Sequence, residues 1–205
     1  MKKNYISNAE TSVRMFNNNL LERVSKVHFS VPLFIYVPVM LYLLYQSFFQ
    51  HSSIEAITLF VTYFLPGIIV WTITEYILHR FVFHFEPSFI WGKRIHFIFH
   101  GVHHDYPKDA KRLVMPPSVS LPLAAGFYFL FSLIFVNKSH LQAFFAGFLV
   151  GYLMYDMMHY AMHHYNFKSS VMKKIKQYHM LHHYNSAHKI IQTYSQRSNQ
   201  SNFHF

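Results

Sequence analysis

The chain has 205 residues, enough for one domain of ordinary size, with 52% hydrophobic, 20% aromatic and only 13% charged residues, about half the charged share of a soluble domain. Its 18 Lys and Arg against 8 Asp and Glu give a formal charge of +10, but the basic residues flank apolar blocks, which points to an anionic membrane surface and away from nucleic acid. Cysteine is absent, so disulfides and thiolate metal sites are excluded.

Residues 1–28 are polar and basic (Lys2, Lys3, Arg14, Arg23, Lys26), with an amphipathic patch at Val13, Phe16, Leu20 and Leu21. They lack the apolar core and small-residue cleavage site of a secretory signal, and the patch predicts a helix lying on the membrane surface. Phe29 to Phe49 is uncharged and long enough to cross a hydrocarbon core of about 30 Å, with Pro38 expected to kink it. A short polar turn from Gln50 to Ser53 leads to a second apolar block, Ile54 to Leu78, interrupted by Pro66-Gly67 and carrying Glu75 near its end. So short a connection requires an antiparallel hairpin. Residues 79–117 are polar, basic and rich in histidine. Two more apolar blocks follow, Ser118 to Val136 and Leu141 to Tyr155, and the last continues without a helix breaker into Asp156 and the sequence HYAMHH.

The predicted fold is an all-α membrane protein of four transmembrane helices, arranged as two hairpins, with a cytosolic helical cap. Residues 1–28 form an N-terminal segment, 29–187 the membrane domain and 188–205 a polar tail. Charge tests this topology. Five Lys and Arg precede the first block, six lie between the second and third, and six follow the fourth; Lys138 alone falls on the other side. The positive-inside rule makes the common face cytosolic, and every histidine cluster lies on it.

Histidine is the compositional anomaly, at 17 residues. Twelve of them fall into four clusters: His79 and His84; His96, His100, His103 and His104; His159, His163 and His164; and His179, His182 and His183. Offsets of three and four share one helix face; the offset of five between His79 and His84 does not, so the helix should bend or end there. One isolated pair is usually a solvated surface feature. Four clusters at ligand spacing on one side of a membrane are not, and so many imidazoles exceed what one tetrahedral zinc needs, suiting two ions of higher coordination number. With 8 acidic residues in the whole chain, the carboxylate-bridged di-iron site of helical bundles cannot be assembled. Imidazole suits iron, zinc, copper and nickel, so ligand type leaves the metal open. Asp156, Asp105 and Asp109 are candidate acceptors for the outer N–H groups of ligand rings, with an ion pair to Arg112 the structural alternative for Asp109.

The runs HRFVFH, HFIFHGVHHDYPKDAKRLVMPP, GYLMYDMMHYAMHH and HMLHHY resemble, in order and separation, the motifs of the membrane-bound fatty acid hydroxylase superfamily, covering roughly residues 66–186. The run from Asp109 to Pro117 resembles the fatty acid 2-hydroxylase branch more closely than the sterol enzymes. This resemblance implies O2-dependent hydroxylation of a lipid acyl chain beside its carboxyl or amide, at a dimetal centre of two irons, with zinc able to occupy the same sites. It implies ligation by His79, His84, His100, His103, His104, His159, His163, His179, His182 and His183, with His96 and His164 in supporting roles. Tyr106, Lys108, Lys111 and Arg112 are expected to orient the substrate's polar end. No haem motif of the fused cytochrome b5 type occurs, so electrons are expected from a separate donor of cytochrome b5 or ferredoxin type. The stretch after Ala187 departs from the family pattern and reads as atypical or truncated. A bacterial inner membrane is favoured over the endoplasmic reticulum. Sterol oxidation, desaturation and carotenoid hydroxylation remain as alternatives at the same centre. Metal transport, zinc hydrolysis and a catalytically impaired or non-enzymatic metal-binding role are the alternatives of other classes.

Overall fold

Three polar caps and one proline decide where helices begin, and apolar surface decides how they pack. The computed structural model describes residues 7–49, 51–85 and 88–184. Among these the regular elements are all helical: α1 (Asn19–Val24), α2 (Val31–Phe48), α3 (Ser53–Phe83), α4 (residues 90–105), α5 (Pro117–Ser132), α6 (Lys138–His164) and α7 (Ser170–Tyr184). Asn18 caps α1 by accepting from the Leu20 and Leu21 N–H groups, and Asn137 caps α6 by accepting from Ser139 and His140. Ser52 and Glu55 close a reciprocal capping box at the start of α3, which satisfies donors that have no partner inside the helix. Pro116, in extended conformation, places Pro117 at the first turn of α5, where a missing N–H costs nothing.

The axis of the molecule is α6. Of its most apolar window 72% is buried, against 22% in α2 and 17% in α3, which pack along it. Close approach explains the sequence here. A Cβ on Gly67 of α3 would collide with the Phe144 carbonyl oxygen, and one on Gly147 of α6 with the Phe64 carbonyl oxygen. One turn on, a Cβ at Gly151 would lie 2.7 Å from the Trp71 Cβ. The Gly-x3-Gly spacing of residues 147 and 151 thus lets two backbones touch, as small residues do between membrane helices. Trp71 packs edge-on against Phe148 and Tyr152, with ring centroids 5.0 and 5.2 Å apart. The outward faces of α2 and α3 carry exposed Phe34, Ile54 and Ile57, an apolar surface suited to lipid.

Several expectations meet corrections. Residues 7–28 are not one surface helix: only Asn19–Val24 is helical, and the segment runs back over the histidine-rich end. There the Ser7 N–H donates to the Asp105 carbonyl at 3.1 Å and Val27 to that of Lys111 at 3.0 Å. Pro66-Gly67 does not interrupt α3. Proline lacks a donor and crowds the carbonyl four residues back, and the widened π turn at Phe60–Phe64 takes up that strain while the helix continues. Pro38 lies inside α2. Among the described residues three helices (α2, α3 and α6) are long and apolar enough to cross a membrane; α5, at 16 residues, is apolar but shorter. The tail at 188–205 lies outside the described residues.

Candidate metal centre

The end of α3 holds the first surprise. The helix does end between His79 and His84, at Phe83 with His84 as its C-cap, but not as a regular α-helix. It widens into a π turn, Leu78–Phe83, and the His84 N–H donates to the His79 carbonyl five residues back at 3.2 Å. A π turn brings residues five apart onto one face, as a regular helix cannot. The two Nε2 atoms consequently lie 3.1 Å apart. A second π turn, Phe97–Gly101, interrupts α4 beside His100.

Two groups of rings converge there. His103, His159, His163, His179 and His183 form one, and His79, His84, His100 and His182 the other; within each, the facing nitrogens lie within 4.8 Å of one another. His104 stands between them, its Nε2 2.9 Å from that of His100 and its ring stacked at 4.3 Å on His183. All ten sequence-predicted ligands are thus assembled from α3, α4, α6 and α7, and α4 and α7 contribute to both groups. His96 and His164 stand outside the two groups; His164 stacks on Tyr160 at 4.7 Å.

The spacing tests whether these rings fit a metal. The Nε2 atoms of His79, His84 and His182 form a triangle with sides of 2.9 to 3.1 Å, and that of His100 is 3.2 Å from His84. A neutral imidazole has one N–H and one lone pair, so four converging Nε2 atoms cannot all be hydrogen-bonded to one another. They do match the edges of a ligand polyhedron: nitrogens at right angles around an ion at about 2.1 Å are about 3 Å apart. In the other group, His103 and His159 stand 2.8 Å apart, as do His163 and His179. The donor set fits two ions held by imidazole.

Electrostatics keep the rings ready. Burial, followed by the neighbouring histidines, lowers the pKa of His84 and of His179 to about 4 and that of His104 to about 2, from 6.5. The same causes hold His100, His103 and His183 well below the ordinary range. At neutral pH the lone pairs are therefore free for a metal.

The outer partners differ from expectation. None of the three aspartates accepts a hydrogen bond from a ligand ring. Asp109, 1% exposed, accepts from the Lys111 N–H at 3.1 Å and faces the Arg112 Nε at 3.5 Å. Asp156 Oδ1 accepts from the Met115 N–H at 3.4 Å. Asp105 is half-buried, and burial raises its carboxyl pKa. Sequence reasoning missed Glu75, buried one turn before His79, with Oε1 3.8 Å from the His79 Nδ1; the Glu-x3-His spacing was the available signal. The His163 ring also bonds the Pro107 backbone, necessarily its carbonyl, because proline has no N–H.

A cavity of ≈ 340 Å³ abuts the histidines, reaching His79, His100, His103 and His159, and its apolar wall includes Trp71, Val102, Leu113 and Val114. Of the four residues expected to orient a substrate, only Arg112 lines it, and its guanidinium is already engaged by Glu22. Tyr106, Lys108 and Lys111 are not part of this wall. Lys108 and Lys111 face solvent, where solvation of the ammonium groups is retained.

With this geometry in place, comparison with known proteins is decisive. The fatty acid hydroxylase family model matches residues 64–199. The chain belongs to the fatty acid hydroxylase family. Among its relatives, the dihydroceramide fatty acyl 2-hydroxylase FAH1 of Arabidopsis thaliana is 36% identical over 168 residues, covering 82% of this chain and 69% of that protein. The fatty acid 2-hydroxylase of Rattus norvegicus is 35% identical over 187 residues, covering 82% of this chain but 50% of the relative. The solved structure titled full-length scs7p, in which only the hydroxylase domain is visible, superimposes with a TM-score of 0.73 at 37% identity, over 81% of this chain and 62% of that one. The chain thus spans about half the length of the mammalian hydroxylase that it matches. The family match also runs past Ala187, into the stretch read from the sequence as a departure. These relatives are eukaryotic, and they lend no support to the expected bacterial membrane.

Proposed function

We propose that this membrane protein is an O2-dependent hydroxylase acting at C-2 of the acyl chain of a fatty acid or a ceramide-like lipid. The observation that carries the reading is the meeting of two imidazole sets with one end of an apolar cavity. The relatives' names, fatty acid 2-hydroxylase and dihydroceramide fatty acyl 2-hydroxylase, supply the substrate class and the carbon. Residues 29–187 form the catalytic membrane domain. All four apolar helices span, α5 by local adjustment of a thinner bilayer, and the basic segments face the cytosol.

His103, His159, His163, His179 and His183 would hold one iron, His79, His84, His100 and His182 the other, and His104 lies where it can serve either. When bound, the pair supplies activation of O2 to an oxidant able to break a C–H bond, and two electrons come from a donor of cytochrome b5 or ferredoxin type. The protein's own residues do the rest. Val102, Leu113 and Val114 are almost fully buried and keep water from the reacting carbon. The Trp71 wall takes the chain, the Pro107 carbonyl orients the His163 ring, and Glu75 faces the outer nitrogen of His79 at 3.8 Å. Asp156 and Tyr152, buried and bonded to each other, both line the cavity; the pair is placed to meet the amide or carboxyl end of the lipid, which holds C-2 at the histidines.

The test is expression in a host lacking 2-hydroxy lipids, followed by mass spectrometry of the extract. Wild-type protein should generate 2-hydroxyacyl species and the double variant His103→Ala/His104→Ala none. A variant that hydroxylates at the wild-type level would refute the site, and a product altered at another carbon or on a sterol would refute the reaction.

A further inference from the structure

One wall of the cavity comes from none of the long helices. Residues 12–28 cross it, and Met15, Phe16, Leu21 and Val24 form part of its lining. Apart from the six residues of α1, this segment has no hydrogen-bond ladder of its own, so side chains must hold it. Arg112 does so. Its side chain is 2% exposed. One terminal nitrogen donates to the Val13 carbonyl at 2.7 Å and to Glu22 Oε1 at 2.8 Å, and the other to Ser25 Oγ at 3.0 Å. Glu22 Oε2 in turn accepts from the backbone N–H groups of Met15 at 2.9 Å and Phe16 at 3.1 Å. The two lining residues therefore hang from the carboxylate that the arginine grips. Charge-assisted hydrogen bonds of this kind are the strong ones, and here the guanidinium clamps the stretch from Val13 to Ser25, with Lys26 also on Glu22 at 2.6 Å and the Val27 N–H on the Lys111 carbonyl at 3.0 Å. Leu21 and Val24 both line the cavity and remain 49% and 41% exposed, so the mouth lies at this segment's edge. At that edge Ser118 of α5 donates to the Val24 carbonyl through an exposed, long bond of 3.3 Å.

We propose that residues 12–28 are a displaceable wall of the acyl cavity, clamped by Arg112 on Glu22, and that Met15 and Phe16 on its inner side determine which chains fit. The proposal rests on the acyl-lipid reading of the cavity. A segment fastened at a few polar points, without a helix or sheet ladder, is the kind that opens as a unit at low cost, and such opening admits substrate in many enzymes.

The absence of cysteine and the presence of only two tryptophans allow a test that needs no turnover. In full-length protein in nanodiscs, Trp91→Phe leaves Trp71, 5% exposed in the cavity wall, as the reporter, and a brominated fatty acid quenches it on entry. Val24→Cys with Ser118→Cys permits the mouth to be bridged by a short bis-methanethiosulfonate, which reductant removes. Bridging should slow quenching by about tenfold or more, the scale of a lost opening, and reduction should restore it. Glu22→Gln should accelerate quenching, and Phe16→Ala and Met15→Ala should relax discrimination against methyl-branched chains. Equal quenching rates with and without the bridge overturn the displaceable wall, and unchanged chain preference in both alanine variants overturns its selectivity. No quenching in either form would remove the acyl-lipid reading, and the wall proposal with it.

Discussion

At the scale of single residues, the ten converging imidazoles are not equivalent in what supports them. Glu75 faces the outer nitrogen of His79, and removing such a partner typically weakens metal binding about 10- to 100-fold. Glu75→Gln should therefore lower iron retention during dialysis by about that factor while the protein stays folded, as metal analysis beside circular dichroism would register. His96→Ala should leave the bound metal unchanged, whereas His182→Ala should deplete the site shared with His79 and His84. Acid acts through the same rings. With His84 and His179 lowered to about 4 from 6.5, the unfolded chain takes up protons that the folded one refuses. Stability of the metal-free protein is therefore fully present above about 6.5 and declines as pH falls from there toward about 4; thermal unfolding of chelator-treated protein across that window should follow this slope. Glu22 has a different window. Burial pushes its carboxyl up, but Lys26, the Met15 and Phe16 N–H groups and Arg112 outweigh that and bring it to about 2 from 4.5. Its contribution to docking of the N-terminal segment is complete above about 4.5 and lost as pH falls through about 2. A nitroxide at Leu20→Cys should become mobile in that lower range; if it loosened by pH 6.5, this assignment would fail.

At the scale of elements, the places where sequence reasoning went wrong have physical causes. The spans and the four histidine clusters were legible because apolar run length and offsets of three and four follow from helix geometry alone. The offset of five between His79 and His84 read rightly as a helix end, at Phe83, but the π form of that last turn was missed because it leaves no composition signal; the partner rings on α4 and α7 make the wider turn worthwhile. Val13, Phe16, Leu20 and Leu21 mimic an amphipathic helix, yet the asparagines at 17–19 restrict it to one short piece capped at Asn18. Arg112 looked available to a substrate because its partner Glu22 lies 90 positions away, beyond any local pattern. The glycine contact between α3 and α6, by contrast, was unread although its Gly-x3-Gly signal was present. Gly67→Ala or Gly147→Ala forces backbones apart and should cost about 1–3 kcal/mol, seen as a lower unfolding temperature in detergent; an unchanged temperature would mean that the helices are not closely packed there.

For the whole molecule, the exposed surface of the histidine-rich end predicts a half-immersed structure rather than a cap standing free in water. Exposed Phe85, Ile90, Trp91, Ile95 and Phe99 share the segment after α3 with Lys93 and Arg94, the composition of an interfacial helix. In a Trp71→Phe background, Trp91 should be quenched more strongly by lipids brominated near the headgroup than by those brominated at the chain end, and more so in anionic bilayers. Strong quenching by water-soluble iodide with none by lipid would reverse that placement. The chain's order has a consequence of another kind. Helix α7 brings His179 and His183 to one group and His182 to the other, and it is made after every apolar helix. During synthesis, at about 5–20 residues per second, the growing protein can be threaded into the bilayer with neither ligand set complete. Metal uptake by either group would thereby follow membrane insertion, once the scaffold is in place.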